Sequence, residues 1–217
     1  MSPDESMFKM TTDPKKASDA GDKVRIHFKA GLPVKMTTLS DNKTVTNPLE
    51  LFLYANEVAG RNGCGRIDIV ENRFVGIKSR GIYETPGGTL LRAAHLDLEG
   101  ITMDREVKRI TESLALEFSR LCYNGFWFAP EMDLIRNTMD FSQKDVDGSV
   151  ELELWKGNIT VLGRESPKSL YSADLASMDI EGGGEAMDYN PGDSQGFIRI
   201  NSVRLKMYSA LRKKIGK

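Results

Sequence analysis

Apolar and polar residues alternate along several short stretches of the chain, which is the pattern of strands with one buried face. Gly31 separates two of these stretches, and the turn at 156–158 separates two more, so we expect two β-hairpins. The predicted strands are 23–29, 32–38, 150–155 and 159–162. His27 falls on the polar side of its strand, and the pattern predicts that its side chain is exposed.

Other stretches repeat their apolar residues every three or four positions, and these predict helices. The first begins at Asn47, a good capping residue, continues with Pro48 at the first helical position, and ends at Gly60. The face predicted to pack on the sheet consists of Leu49, Phe52, Leu53, Asn56 and Ala59.

The middle of the chain predicts two helices that separate near Gly100, with Thr102 as the cap of the second. The predicted buried stripe of that second helix is Val107, Ile110, Leu114, Phe118 and Leu121. A further helix begins at Pro130, and a loop with a short helix is expected around residues 172–178.

The last helix begins at about Asp193 and carries apolar residues on more than one face. One face has Phe197, Ile200, Met207 and Leu211, and another has Ile198, Leu205 and Tyr208. A helix docked on its own domain needs only one apolar stripe, so the second face indicates another partner, of which a neighbouring subunit is the simplest. The alternative is a frayed, solvent-exposed tail.

Together these elements predict an α+β fold, with antiparallel hairpins packed with several helices and an extended C-terminal oligomerisation helix. Residues 1–22 are polar and contain two prolines, which is typical of a flexible lead-in or linker. Residues 23–192 are expected to form the main domain, and residues 193–217 the C-terminal helix.

Composition excludes several classes of protein. The 217 residues, 40% hydrophobic and 28% charged, are typical of one ordinary globular domain. A net charge of −1 gives no overall attraction to nucleic acid or to anionic membranes. No apolar run approaches the roughly 18–20 residues that span a bilayer. The N-terminus lacks the apolar segment of a secretory signal, and we expect a cytoplasmic protein.

The residues that most often carry chemistry are few. Only two cysteines occur, Cys64 and Cys122, which fits a reducing compartment better than a disulfide framework, although a single pair remains open. Neither CxxC nor HExxH occurs, so we expect no metal. The glycine run at 182–184 lacks the flanking strand and Lys-Ser/Thr of a phosphate loop. His95 lies among apolar residues, which favours a satisfied core or interface histidine over a catalytic base.

Residues 65–89, GRIDIVENRFVGIKSRGIYETPGGT, combine a predicted strand at 67–70 with many ionisable side chains and single glycines. The ionisable residues are Glu71, Arg73, Lys78, Arg80, Tyr83 and Glu84, and the glycines are Gly65, Gly76 and Gly81. Buried charge is costly unless it is paired or bound to a ligand, and glycines in extended segments often mark a close approach. Two interpretations fit: an exposed hairpin with a solvated charged face, which is the commoner case, or a cleft wall that binds a small zwitterion.

This stretch and the following LLRAAHLDLEGITMDREV at 90–107 resemble the C-terminal half of argininosuccinate synthase. The similarity continues through YNGFW, GRESP, SLY, GFI and NSVRL, at 123–127, 163–167, 169–171, 196–198 and 201–205. These motifs cover nearly the whole chain without a large gap, and motifs of such length do not recur by chance.

The resemblance implies a function. Argininosuccinate synthases join citrulline to aspartate with ATP as co-substrate, and a glutamate and a tyrosine of this motif bind citrulline. In this sequence they match Glu71 in VENR and Tyr83 in GIYET. The chemistry is suitable, because a carboxylate pairs with an α-ammonium group and a phenol hydrogen-bonds to a carboxylate or a ureido group. The resemblance also implies a homotetramer held together by the C-terminal helix.

The family's other half is not found in this sequence. Its phosphate loop, Ser-Gly-Gly-Leu-Asp, does not occur in this sequence. The resemblance implies that the residues that bind aspartate, and the remaining residues that bind citrulline, belong to that half. We therefore expect that this chain alone is inactive and holds no cofactor. Two hypotheses remain: the chain is part of the enzyme and supplies part of its citrulline site, or it is a non-catalytic interaction protein that associates with itself or with full-length subunits.

Overall fold

The computed structural model describes residues 2–172 and 191–216. The chain divides into two compact units, Met1–Leu170 and Tyr171–Lys217. The strands are β1 (Asp22–Lys29), β2 (Leu32–Thr38), β3 (Thr44–Val45), β4 (Arg66–Asn72), β5 (Lys78–Glu84), β6 (Gly148–Trp155) and β7 (Asn158–Glu165). The helices are α1 (Pro48–Arg61), α2 (Pro86–Thr102), α3 (Arg105–Tyr123), α4 (Pro130–Ser142) and α5 (Pro191–Lys214).

The predicted α+β class is confirmed. Five strands form an antiparallel sheet in the order β3-β2-β1-β6-β7, and β4 and β5 form a separate two-stranded sheet. The central pair, β1 and β6, joins segments at least 120 residues apart, with Asp22 opposite Leu154 and Phe28 opposite Gly148. Among the described residues, no helix is both long enough and apolar enough to cross a membrane.

One face of the five-stranded sheet forms the main core together with α1 and α2. The alternation along the strands directs Val24, Ile26, Val150 and Leu152 to this side, as the pattern predicts. Burial of these aliphatic side chains is the main stabilising contribution, about 1.5–3 kcal/mol for each one removed from water. A smaller cluster elsewhere joins α3 to α4 through Leu121, Met132 and Ile135.

Both predicted hairpins of the large sheet turn in two residues. Ala30 and Gly31 connect β1 to β2, and Lys156 and Gly157 connect β6 to β7. All four residues have positive φ, at 46°, 75°, 46° and 86°, which matches the twist of antiparallel strands. Glycine adopts this conformation readily, whereas Ala30 and Lys156 hold it only because the flanking strand pairs impose it.

The helix predicted at Asn47 begins as expected but buries a different face. The Asn47 side chain accepts hydrogen bonds from the backbone N–H groups of Leu49 and Glu50. The prediction that Leu49, Phe52 and Leu53 pack on the sheet is wrong, because all three are exposed, Leu49 by 68%. The buried residues are Leu51, Tyr54, Ala55, Val58, Ala59 and Gly60, of which only Ala59 belongs to the predicted face. The helix has two apolar stripes, and the one with small residues allows close packing against α2.

The boundary between α2 and α3 also differs from the prediction. Helix α2 continues through Gly100 to Thr102, so Thr102 ends one helix rather than capping the next. The cap of α3 is Asp104, whose carboxylate accepts from the N–H groups of Glu106 and Val107. The negative charge of a carboxylate at this position also interacts favourably with the helix dipole. The neutral hydroxyl of a threonine interacts with the dipole less strongly.

The stripe predicted for α3 is only partly buried. Leu121 is fully buried, and Leu114 and Phe118 pack beside it against α4. Val107 and Ile110 are exposed by 40% and 50%, so the prediction is wrong for the first half of the helix. The reason is that α4 covers only the second half of α3.

His27 also departs from the prediction, because its side chain is half-buried rather than exposed. It lies beside Lys35 on β2 and Ser149 on β6, on the outer face of the sheet. Desolvation lowers the pKa of His27, and repulsion from Lys35 and Arg25 lowers it further, so the imidazole is neutral near pH 7.

The second unit contains α5, whose apolar side chains are exposed on both predicted faces, including Phe197, Ile198 and Leu205. The helix confirms the element predicted from about Asp193. The short helix expected around 172–178 and the glycine run at 182–184 fall in the segment 173–190, outside the described residues. The division of the chain at residues 22 and 192 stays a prediction.

The first turn of α2 provides a test of the packing between α1 and α2. A Cβ atom on Gly87 would lie 2.8 Å from Asn56 Oδ1 and 2.9 Å from the Asn56 backbone nitrogen, whereas a Cβ on Gly88 would meet only Thr85 Cβ at 3.9 Å. Gly87→Ala should therefore destabilise the fold by about 1–3 kcal/mol through overpacking. Gly88→Ala should stabilise it by up to about 1 kcal/mol through the better helix propensity of alanine.

Thermal or urea unfolding of both variants measures the difference, and Gly88→Ala is the matched control because the two glycines are adjacent in the same helical turn. Equal stability of the two variants would contradict the close approach of α2 to α1.

Candidate functional site

Strands β4 and β5 form an arm that leaves the core after α1 and returns to it at the start of α2. Its register places Ile67 opposite Tyr83, Ile69 opposite Gly81 and Glu71 opposite Ser79 on one face. The other face carries the remaining pairs, Arg66 with Glu84, Asp68 with Ile82, Val70 with Arg80 and Asn72 with Lys78. We call residues 66–84 the arm, and the face with Glu71 and Tyr83 its site face.

The face opposite the site face is solvated and charged. Arg80 donates from Nε to Asp68 Oδ1 at 2.8 Å, and both side chains are exposed. This ion pair lowers the pKa of Asp68 by a hydrogen bond from Arg80, but exposed pairs of this kind contribute little stability. This face fits the interpretation of the segment as a solvated hairpin.

The site face brings the two predicted site residues together. The Tyr83 hydroxyl donates to Glu71 Oε1 at 2.6 Å, although the two residues belong to different strands and are not directly opposite each other. Gly81 makes this contact possible, because a Cβ atom there would lie 2.4–2.7 Å from the ring and hydroxyl atoms of Tyr83. The tyrosine ring lies across the glycine and reaches toward Glu71.

The electrostatics of this pair favour a neutral phenol beside a carboxylate. The hydrogen bond to Glu71 raises the pKa of Tyr83, and desolvation and the negative charge of Glu71 raise it further. Arg73 opposes these effects and lowers the pKa of Tyr83. Tyr83 therefore acts as a hydrogen-bond donor over the whole neutral pH range.

The base of the arm is fastened to the segment that precedes β1. Glu84 accepts hydrogen bonds from the backbone N–H groups of Lys9, Met10 and Thr11, and from the Thr11 hydroxyl at 2.6 Å. Desolvation alone would raise the pKa of Glu84, but these hydrogen bonds hold it below its usual value. On the paired strand, Arg66 donates to the Thr11 hydroxyl, to the Thr11 carbonyl and to Glu5.

The tip of the arm lies against the C-terminal end of α3. The rings of Phe74 and Phe126 meet edge to face with their centres 5.7 Å apart. An open cavity of about 450 Å³ lies beside this contact, lined from the arm by Asn72 and Arg73 and from α3 by Tyr123, among others. The tip of the arm and the end of the helix therefore form the two walls of an open cleft, and Glu71 precedes the arm residues that line it.

His95 is not part of this cleft. Its Nε2 lies 2.9 Å from Gln143 Oε1, and Gln143 in turn donates to the carboxylate of Glu99 at 2.9 Å. Lys108 also donates to Glu99, and the imidazole packs against Phe28. The prediction of a satisfied histidine is confirmed, because its neighbours are structural groups of α2, α3 and the turn Gln143–Asp145.

The two cysteines and the metal-binding residue types form no second cluster within the described part of the chain. Both cysteines are free thiols, Cys64 buried and Cys122 exposed, and burial raises the pKa of Cys64 to about 11. Within residues 2–172 and 191–216, no group of three or more histidine, cysteine, aspartate or glutamate side chains could hold a metal ion.

Comparison with known proteins decides the family. The model of the arginosuccinate synthase C-terminal domain matches residues 1–208, which include the arm, α3 and most of α5. The chain belongs to the argininosuccinate synthase family. It is 53% identical to the argininosuccinate synthase of Danio rerio over 206 residues, which is 95% of this chain and 49% of the relative.

Two further relatives give the same result. The argininosuccinate synthase of Mus musculus is 53% identical over 96% of this chain, and that of Thermotoga sp. (strain RQ2) is 51% identical over 97%, with half of each relative covered. The chain thus spans about half the length of the curated relatives it matches, and it corresponds to their C-terminal part. The resemblance noted from the arm motifs is confirmed at the level of the argininosuccinate synthase family.

Sequence reasoning missed two features of the site. Gly81 was recognised as a close-approach position but not as the one that gives room to the Tyr83 ring, although a glycine two residues before an aromatic residue in a strand is a usable signal. Tyr123 belongs to the YNGFW motif of the resemblance, but the sequence analysis assigns it no role. Its position at the end of a helix 40 residues after Tyr83 carries no local signal of contact with the arm.

We predict that Gly81→Ala separates Tyr83 from Glu71, because the added methyl group occupies the space of the ring. The pKa of Tyr83, measured by NMR of labelled tyrosine, should then fall toward its ordinary value as it loses the carboxylate neighbour. The control is Gly163→Ala in β7, where a Cβ atom meets nothing within 4 Å. An unchanged pKa of Tyr83 in Gly81→Ala would contradict the role assigned to this glycine.

Proposed function

We propose that this chain supplies one wall of the citrulline site of argininosuccinate synthase. The observation that carries the proposal is the hydrogen bond from Tyr83 to Glu71 on one face of the arm, in a chain whose family is named for this reaction. A carboxylate and a phenol held side by side offer an acceptor for an ammonium group and a donor for a carboxylate or ureido oxygen.

In the proposed reaction, the ureido oxygen of citrulline attacks the α-phosphate of ATP and pyrophosphate leaves. The amine of aspartate then displaces AMP from the citrullyl-adenylate to give argininosuccinate. The role of this chain is to bind and orient citrulline, which contributes to the rate by fixing the nucleophilic oxygen. ATP and aspartate would be bound by the half of the enzyme that lies outside this sequence.

The arm itself supports a site that needs another surface to be complete. Its tip exposes Phe74, Val75 and Ile77, and Val75 is 74% exposed. Clustered exposed apolar side chains on a protein surface often mark a contact with a partner. A citrulline site shared between this wall and a nucleotide-binding half would close the cleft and exclude water from the adenylate.

A second candidate function is self-association through α5. Its apolar residues lie on two faces, and the exposure of both Phe197 and Ile198 favours this role. This role is compatible with the first, and it would also suffice for a non-catalytic chain that associates with itself or with full-length subunits. The proposed assembly is the homotetramer that the resemblance implies.

The catalytic proposal predicts the effect of Glu71→Gln in a chimaera that joins this chain to the N-terminal half of the Mus musculus enzyme. Loss of the charge should raise the KM for citrulline about 10- to 150-fold, the range for one charge-assisted hydrogen bond. Tyr83→Phe should have a smaller effect.

Asp68→Asn is the matched control, because it removes a carboxylate from the opposite face of the same arm and should leave the KM unchanged. This chain assayed alone should release no pyrophosphate. A citrulline KM in Glu71→Gln equal to that of the parent would refute the assignment of Glu71.

The association proposal predicts that a chain ending at Gly192 sediments as a smaller species than the intact chain. Ile198→Lys should weaken association because it places a charge on an apolar face of α5. Ala210→Lys adds the same charge at a position off both faces, and it should leave the association state unchanged. The proposal fails if the shortened chain and the intact chain have the same association state.

A further inference from the structure

A segment that precedes β1 contacts the base of the arm on the face opposite the site face. We call residues 5–12 the strap. Its end is fixed to α1, because the backbone N–H of Thr12 donates to the carbonyl of Gly60 at 2.9 Å. Its contact with the arm is made through Glu84, which follows Tyr83 directly in β5 and therefore directs its side chain to the opposite face.

A single carboxylate binds the donors of the strap. Glu84 accepts from the backbone N–H groups of Lys9 at 2.7 Å, Met10 at 3.0 Å and Thr11 at 2.8 Å. Successive N–H groups that converge in this way can form a concave site for an anion, and hydrogen bonds to a charged acceptor are about twice as strong as neutral ones. The carboxylate of Glu84 occupies such a site, and the end of β5 is held with it.

The hydroxyl of Thr11 joins the two strands of the arm to each other. It donates to Glu84 Oε1 at 2.6 Å and accepts from Arg66 Nε at 2.7 Å. Arg66 lies directly opposite Glu84 in the pairing of β4 with β5. Thr11 is only 8% exposed, so water does not readily replace its hydroxyl. One side chain of the strap thus fixes the offset between the strands one residue from Tyr83.

We propose that Glu84 and Thr11 are positioning residues of the citrulline site, which hold the end of β5 so that the Tyr83 hydroxyl meets Glu71. This inference rests on the proposed function of Glu71 and Tyr83. It gives a role in the reaction to two residues that lie away from the site face, one of them in a segment before β1.

The contact between Tyr83 and Glu71 is sensitive to the offset between the strands. The two residues are not opposite each other, and the tyrosine ring reaches the carboxylate diagonally across Gly81. Hydrogen bonds weaken steeply as their geometry departs from the ideal, and a functional pair must be held to within about 0.5 Å. Because β4 and β5 form a sheet of only two strands, a slip at the base is transmitted directly to this contact.

The first part of the test follows Tyr83 in the intact 217-residue chain with labelled tyrosine. Thr11→Val removes the hydroxyl, and NMR titration should show that the pKa of Tyr83 falls toward its ordinary value. Thr11→Ser keeps the hydroxyl and should restore the pKa of the parent. Thr12→Val makes the same replacement at the next, exposed position and is the matched control.

The resonance of the buried Tyr54 reports in each variant whether the core is intact. If Thr11→Val does not fold, Glu84→Gln takes its place, because it keeps the size of the side chain and one acceptor oxygen while it removes the charge. A pKa of Tyr83 that stays at the parent value in the folded variant overturns the inference.

The second part uses the chimaera with the N-terminal half of the Mus musculus enzyme. Thr11→Val should raise the KM for citrulline about 3- to 10-fold and leave the KM for ATP unchanged. A purely structural fastening would instead reduce the amount of active enzyme, which lowers the apparent kcat and leaves the citrulline KM as it was. In a Tyr83→Phe background, Thr11→Val should have little further effect on this KM, because both changes remove the same contact.

The outcomes separate this inference from the proposed function. If Glu71→Gln raises the citrulline KM and Thr11→Val does not, the positioning role is overturned and the proposed function stands. If Glu71→Gln itself leaves the citrulline KM unchanged, both are overturned.

Discussion

The position of the candidate site depends on a close approach of three backbone segments at the base of the arm. Gly65 has a φ of +96°, and a Cβ atom there would lie 2.5 Å from Pro86 Cα. Gly87 follows Pro86 directly, and a Cβ atom on Gly87 would lie within 2.9 Å of the Asn56 backbone nitrogen at the interface of α1 and α2. Because backbone atoms cannot move aside as side chains can, these contacts restrict the direction in which the arm leaves the core, and the tip of the arm lies beside Phe126, just after α3.

A two-stranded sheet is marginally stable by itself in water, so the arm needs support along its length. Glu84 and Arg66 supply it at the base by binding the segment around Thr11, and Phe126 supplies it near the tip. Glu71 and Tyr83 lie between these supports. A site placed there is held on both sides by elements from distant parts of the chain, and it needs no rigidity of its own.

The sequence predicted most of the local structure and the chemistry of the arm, but not the contacts that complete the site. Turn glycines and the alternation of apolar and polar residues correctly predict the two-residue hairpin turns, and Asn47 correctly predicts the start of α1. These signals act over only a few residues. The pairing of β1 with β6 joins positions such as Val24 and Leu152. No local pattern specifies such a pairing, and the same holds for the contact of Phe126 with Phe74 at the tip of the arm.

The errors on α1 and α3 have a common physical origin. A hydrophobic pattern shows which side chains favour burial, but it does not show which surface covers them. On α1 the stripe with Leu51, Ala55 and Val58 is buried in the core shared by α2 and the sheet, and the stripe with Leu49 is left exposed. A helix with a single stripe would have been predicted correctly. The mistaken assignment therefore follows from a second apolar face, which is also the feature that distinguishes α5 from an ordinary terminal helix.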